Sequence, residues 1–145
     1  MSKRVVLLVE DNADDVDLTV YALKKSEVTQ HDLQVVNDGV EALDYFFDSE
    51  KKSNVMPDMV LLDLKLPRIN GLEVLKRLRE EEATRYLPVV VLTSSKEEQD
   101  VSNCYRLGAN AYVRKPVDFN NFMSVISNVL SFWLTINVPC RRKDV

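Results

Sequence analysis

Five residues with chemically capable side chains fall at the ends of apolar runs. Glu10 and Asp11 follow Val5–Val9, Asp63 follows Met59–Leu62, Thr93 follows Val89–Leu92, and Lys115 comes shortly after Ala111–Val113. The runs are continuous rather than alternating, as strands read when both faces of a parallel sheet are covered. In open α/β sheets, ligands bind outside the carboxyl ends of the strands, where the strand order reverses. If the order is 2-1-3-4-5, three carboxylates converge there, with a hydroxyl and an ammonium beside them. Carboxylates crowded in this way repel one another, so they require a cation or shifted pKa values. A hard divalent ion such as Mg²⁺, held by one or two carboxylates and several waters, meets that need. Beside such an ion Asp63 can act as a nucleophile toward a phosphoryl group and form an aspartyl phosphate. Thr93 would then donate its hydroxyl to one phosphoryl oxygen and Lys115 would neutralise another. Asp14 and Asp15 are read differently, as acids of a first helical turn that favour the helix dipole.

The segments between the runs must be helices to place these groups. Val16, Val20 and Leu23 form one helical stripe; Val40, Leu43 and Phe47 a second; Leu72, Leu75 and Leu78 a third. Residues 97–107 carry a thinner stripe of Val101, Cys104 and Tyr105, with Gly108 as the stop. Phe119, Phe122, Ile126, Val129 and Trp133 make the last and longest. A second, shorter apolar pair, Val35–Val36, marks the remaining strand, and His31 falls before it in a polar connecting stretch expected to be a loop. Five strand–helix alternations are the signature of an α/β, flavodoxin-like, doubly wound (βα)5 fold with a five-stranded parallel sheet.

Composition narrows the function classes. The chain has 145 residues, 46% of them hydrophobic, enough for one domain with a real core. Its 19 basic and 23 acidic residues leave a net charge of −4, which argues against nucleic acid as the main partner. No apolar run reaches the roughly 18 residues of a membrane helix, and the charged start is not a signal peptide, so a cytoplasmic location is expected. Cys104 and Cys140 share no ligand-type spacing and read as a core residue and a tail thiol.

Four blocks in order, VLLVEDN at 6–12, VLLDLKLPRINGLEVL at 60–75, VVVLTSS at 89–95 and GANAYVRKP at 108–116, resemble the receiver domains of two-component response regulators, the CheY-like family. The resemblance covers residues 4–131. It implies that Asp63 is the phosphoacceptor, Asp11 a direct Mg²⁺ ligand, Glu10 a ligand through water and Lys65 a ligand through its backbone carbonyl. It makes Thr93 and Lys115 the phosphoryl-binding pair, Tyr112 the aromatic switch that responds to Thr93, and Lys115–Pro116 a cis peptide. Glu10 stands where aspartate is commoner, and the interval from Asp11 to Asp63 is longer than in the shortest members, with the excess in Asp48–Pro57.

By this resemblance the chain is a single-domain regulator rather than an enzyme, with a receiver over residues 1–131 and a tail over 132–145. Its donor would be a sensor histidine kinase or a phosphotransfer protein, and its ending resembles that of phytochrome-associated regulators. The output face would be the fourth helix, fifth strand and fifth helix, with homodimerisation through that face and the tail. Phe132, Trp133, Leu134 and Ile136 fit either packing onto the core or that interface. The alternatives are a receiver used as a phosphorylation-independent scaffold and a haloacid dehalogenase-type phosphohydrolase. The latter usually carries a second acid two residues after its nucleophile, where this chain has Lys65.

Overall fold

The computed structural model describes residues 3–26, 28, 30–48, 50 and 54–140. Five strands, β1 (Arg4–Val9), β2 (His31–Val36), β3 (Met59–Leu62), β4 (Val89–Thr93) and β5 (Ala111–Arg114), form one parallel sheet in the order β2-β1-β3-β4-β5. The helices are α1 (Ala13–Lys25), α2 (Gly39–Phe47), α3 (Gly71–Glu80), α4 (Glu98–Arg106) and α5 (Phe119–Ser131). The flavodoxin-like order expected from the sequence is the one observed.

Strand side chains alternate between two apolar layers. Leu7, Val9, Val60, Leu62, Val89 and Val91 pack under α2, α3 and α4, meeting Ala42, Leu75 and Cys104. Val6, Leu8, Met59, Leu61, Val90 and Leu92 pack under α1 and α5, meeting Leu23, Phe122 and Ile126. Both faces of the three central strands are thus sealed, which is why they read as unbroken apolar runs. The edge strand β2 is not sealed and mixes half-buried with exposed residues. Its apolar signal therefore shrank to Val35–Val36, and His31, expected in a loop, is its first residue.

Each helix start except that of α4 is fixed by a side chain that accepts a backbone N–H. Asn12 takes the N–H of Asp15, Asp38 that of Glu41, Asn70 that of Glu73 and Asp118 that of Asn121. Glu97, ahead of α4, makes no such bond. Gly108, at φ 98°, ends the turn after α4 in a conformation that favours glycine. Its carbonyl accepts the Arg79 Nε–H at 2.9 Å, while Arg79 Nη1 donates to the carbonyls of Thr84, Arg85 and Leu87. Burial lowers the pKa of this guanidinium, which ties α3 to the entrances of β4 and β5.

After α5 the chain continues as a π-helical turn over Phe132–Ile136. Leu134 is 1% exposed within the α1–α5 layer and Trp133 packs against that layer, whereas Phe132 and Ile136 are exposed. The core reading of this stretch therefore holds for Leu134 and Trp133, while Phe132 and Ile136 stay at the surface. Residues 141–145 of the expected tail, and residues 49 and 51–53 of the longer middle segment, lie outside the described residues. Tyr45 reaches over that segment's far end, donating its hydroxyl to the Val55 carbonyl at 2.6 Å.

Two outcomes follow from this packing. Leu134→Ala is expected to destabilise the fold by about 2–5 kcal/mol in urea denaturation, as for other buried leucines; a loss below about 1 kcal/mol would mean that the turn is peripheral. Cys104 is buried, and burial together with the Asp100 charge raises its thiol pKa to about 11, while Cys140 is exposed. A disulfide reagent at pH 8 should accordingly titrate one thiol in the native protein and the second only after unfolding.

Candidate functional site

The register of the sheet carries the predicted residues to one end. Glu10 leaves β1 with its N–H on the Val36 carbonyl, and Asp63 leaves β3 with its N–H on the Val9 carbonyl, at 3.0 and 3.1 Å. Lys115 donates its backbone N–H to the Thr93 carbonyl at 2.8 Å. These bonds extend the ladder one step beyond the strands, so the side chains are aimed by sheet geometry rather than by flexible loops. An open cleft of about 590 Å³ results, lined among others by Glu10, Asp11, Asp15, Asp63, Ser94 and Lys115. Helix α3 abuts the backbone of Asp63 and Leu64 because residue 71 is glycine. A Cβ there would stand 2.3 Å from the Asp63 carbonyl oxygen.

At the centre lies one ammonium among carboxylates. Lys115 Nζ is 2.6 Å from Glu10 Oε1, 2.8 Å from Asp15 Oδ2 and 3.3 Å from Asp63 Oδ2. The other Asp63 oxygen, Oδ1, accepts the Leu64 N–H at 2.7 Å, which fixes the plane of the carboxylate. Glu10 Oε2 accepts the Asn12 N–H at 3.1 Å. Asp11 is exposed, and oxygens of Glu10, Asp11 and Asp63 lie within 4.8 Å of one another. Three hard oxygen donors at that spacing, one of them open to solvent, fit a divalent cation of the Mg²⁺ or Mn²⁺ kind.

The charges of the groups reflect this crowding. Burial, helped by the Asp63 charge, raises the Glu10 pKa to about 7 despite its hydrogen bond to Lys115. Burial alone would lower the Lys115 pKa, but the bonds to Asp15 and Glu10 and the Asp63 charge push it above its ordinary value. Lys115 therefore stays charged at any physiological pH.

Thr93 is buried at the end of β4, and Ser94 takes its place in the cleft wall. Its Oγ1 accepts the Ser95 N–H at 3.3 Å, which leaves the Thr93 hydroxyl proton free to be donated. The Ser95 carbonyl in turn accepts the Tyr112 hydroxyl at 3.2 Å, and the Tyr112 ring packs against the layer under α4. Ser95 also ties in α4, donating its own hydroxyl to Asp100 Oδ2 at 2.5 Å and accepting the Glu97 N–H at 3.2 Å. Lys65 is exposed in the loop that follows β3.

A family model described as "Response regulator receiver domain" matches residues 6–127. The chain belongs to the response regulator receiver family. This receiver is similar to "Response regulator Rcp1" of Synechocystis sp., with 36% identity over 138 residues, 94% of this chain and 93% of Rcp1. Its fold is similar to the crystal structure of the phosphorylated cyanobacterial phytochrome response regulator RcpA, at TM-score 0.92 and 33% identity over 97% of this chain and 100% of that one. The Mn²⁺-bound form of Rcp1 gives TM-score 0.90 and 34% identity over 95% and 99%. The receiver is thus related to phytochrome response regulators. Among the described residues, no helix is long and apolar enough to cross a membrane.

One sequence expectation needs correction and one is extended. Among the described residues there is no cis peptide bond, so Lys115–Pro116 is trans rather than cis. Most X–Pro bonds in folded proteins are trans, and here the Lys115 ammonium reaches the carboxylates from that geometry. Asp15 lies in the first turn of α1, as expected of a dipole acid, and in addition places its carboxylate on Lys115. An acid at the third position of a helix that begins beside a cleft was the available signal, and it is identical to that of a dipole acid.

The raised Glu10 pKa carries a pH dependence for the metal-free receiver. Between pH 4.5 and about 7 the folded state holds a proton that the unfolded state has released, so stability falls as pH rises through this window. In EDTA, the stability of wild type relative to Glu10→Gln should therefore decline from pH 5 to pH 8 in urea titrations. An unchanged difference would show that Glu10 ionises normally.

Proposed function

We propose that this receiver accepts a phosphoryl group on Asp63 from the phosphohistidine of a sensor histidine kinase or phosphotransfer protein, and signals by protein–protein contacts. The observation that carries this reading is the Lys115 ammonium 3.3 Å from a buried Asp63 whose other oxygen is pinned by the Leu64 N–H. One carboxylate oxygen is thereby turned toward the cleft, with a permanent positive charge beside it. The Asp63 carboxylate attacks phosphorus; the P–O bond forms as the P–N bond breaks, and the imidazole leaves after taking up a proton. Lys115 pairs with one phosphoryl oxygen and the free Thr93 hydroxyl donates to another. Glu10, Asp11 and Asp63, with the Lys65 backbone carbonyl, would hold Mg²⁺, Glu10 doing so through water. Such an ion supplies neutralisation of charge on the acids and the phosphoryl oxygens when bound. The Mn²⁺ of Rcp1 and the phosphorylation of RcpA, as those structures are described, support the same assignment here.

The output is read through Ser95. Thr93 moving toward the phosphoryl group withdraws Oγ1 from the Ser95 N–H, and the Ser95 carbonyl is where Tyr112 docks. Thr93 and Tyr112 thus form one two-state element biased by a local charge. Helix α4, with no side-chain cap at its start and Cys104 as its one fully buried residue, is the neighbouring element least held by packing. Kinship with Rcp1 and RcpA makes a phytochrome-type kinase the donor we favour, in the cytoplasm. The exposed Phe132 and Ile136 favour homodimerisation through the output face and the C-terminal stretch.

Incubation with Mg²⁺ and acetyl phosphate should add one phosphoryl group to the intact mass. Neither Asp63→Asn nor wild type in EDTA should show it. Partner binding that ignores Asp63, with no adduct, would replace this reading by a scaffold.

A further inference from the structure

Lys115 has three N–H donors and spends them on three carboxylates, those of Glu10, Asp15 and Asp63. Two of these belong to the set whose oxygens cluster closely enough to hold a cation. With a divalent ion held by Asp11 and Asp63, and by Glu10 through water, the pull of Glu10 and Asp63 on the ammonium would weaken, because their charge then serves the ion as well. Asp15 is the partner outside that set. It is also held firmly at both ends of its peptide unit. Its N–H donates to Asn12 Oδ1 at 3.0 Å, and its carbonyl accepts the hydroxyl of the buried Thr19 at 2.8 Å. The first turn of α1 therefore presents the Asp15 carboxylate at a fixed place, 2.8 Å from Nζ.

We propose that Asp15 is a positioning residue that anchors the Lys115 ammonium at the phosphoacceptor while a divalent ion draws on the charge of Glu10 and Asp63. Its charge-assisted bond keeps a long, flexible side chain over the cleft, with one N–H directed at the position an incoming phosphoryl oxygen takes. Without it, the ammonium of the metal-bound receiver is free to swing into solvent. The competing role, an acid that serves only the α1 dipole, needs no lysine. The proposal rests on the phosphoacceptor reading of Asp63, and the test separates the two.

Phosphorylation by acetyl phosphate at saturating Mg²⁺ is followed by intact mass in wild type, Asp15→Asn, Lys115→Met and the double variant. Wild type acquiring no phosphoryl group would remove the phosphoacceptor reading itself. If it is phosphorylated, Asp15→Asn should be slower by about fivefold or more, as expected for the loss of one charge-assisted bond. The same substitution should change nothing further in the Lys115→Met background. An equal slowing in both backgrounds, or no slowing in either, overturns the proposal. A second readout needs no turnover: the ¹H–¹⁵N correlation of the Lys115 ammonium in Mg²⁺-bound protein. Held from fast exchange, it should be visible in wild type and lost in Asp15→Asn; its absence from wild type, or its survival in the variant, equally overturns the anchor.

Discussion

Everything in this receiver is arranged around a repulsion. Glu10, Asp11, Asp15 and Asp63 are brought to one end of one sheet, and Glu10 and Asp63 are buried there at 1% and 8% exposure. Desolvated carboxylates at such range cannot all stay ionised without a compensating cation. One is built in: Lys115, which reaches three of them and is driven to keep its proton by doing so. It does not cancel the acids, and Glu10 responds with a pKa raised to about 7. The remaining deficit of positive charge is what makes the cleft attractive to a divalent ion.

Holding like charges together demands a stiff frame. Two apolar layers clamp the central strands from both sides, and hydrogen bonds of the ladder continue one residue past the strands into Glu10 and Asp63. Interiors packed this way do not yield gradually, so the acids cannot relax apart. Gly71 lets α3 abut the Asp63 backbone, and side-chain caps on Asn12 and Asn70 begin α1 and α3 beside the cleft. The strain is therefore carried by protonation and ion pairing rather than by movement of the backbone.

One place in the structure has the opposite property. Between Thr93 and α4 the chain is held by hydrogen bonds through Ser95 rather than by apolar packing. The likeness to Rcp1 covers 94% of the chain and that to RcpA 97%. In this receiver Leu134 makes the π-helical turn part of the layer that backs α1 and α5, so the segment after α5 contributes to the core as well as to the surface.

The sequence by itself determined the strands, the helices and their winding, because a parallel sheet covered on both faces must show unbroken apolar runs punctuated by polar residues. It also placed Glu10, Asp11, Asp63, Thr93 and Lys115 at strand ends, where topology leaves few places for them to go. It under-read β2, since an edge strand with one wet side alternates with polar residues such as Asp32 and Gln34. It set Asp15 down as a dipole acid, because a first-turn carboxylate looks the same whether it faces water or an ammonium a hundred residues away. It split evenly over Phe132–Ile136, whose stripe suits core and surface alike. Only the tertiary structure decided these. Which of several equivalent polar or apolar groups finds a partner depends on distances between elements that no local pattern encodes.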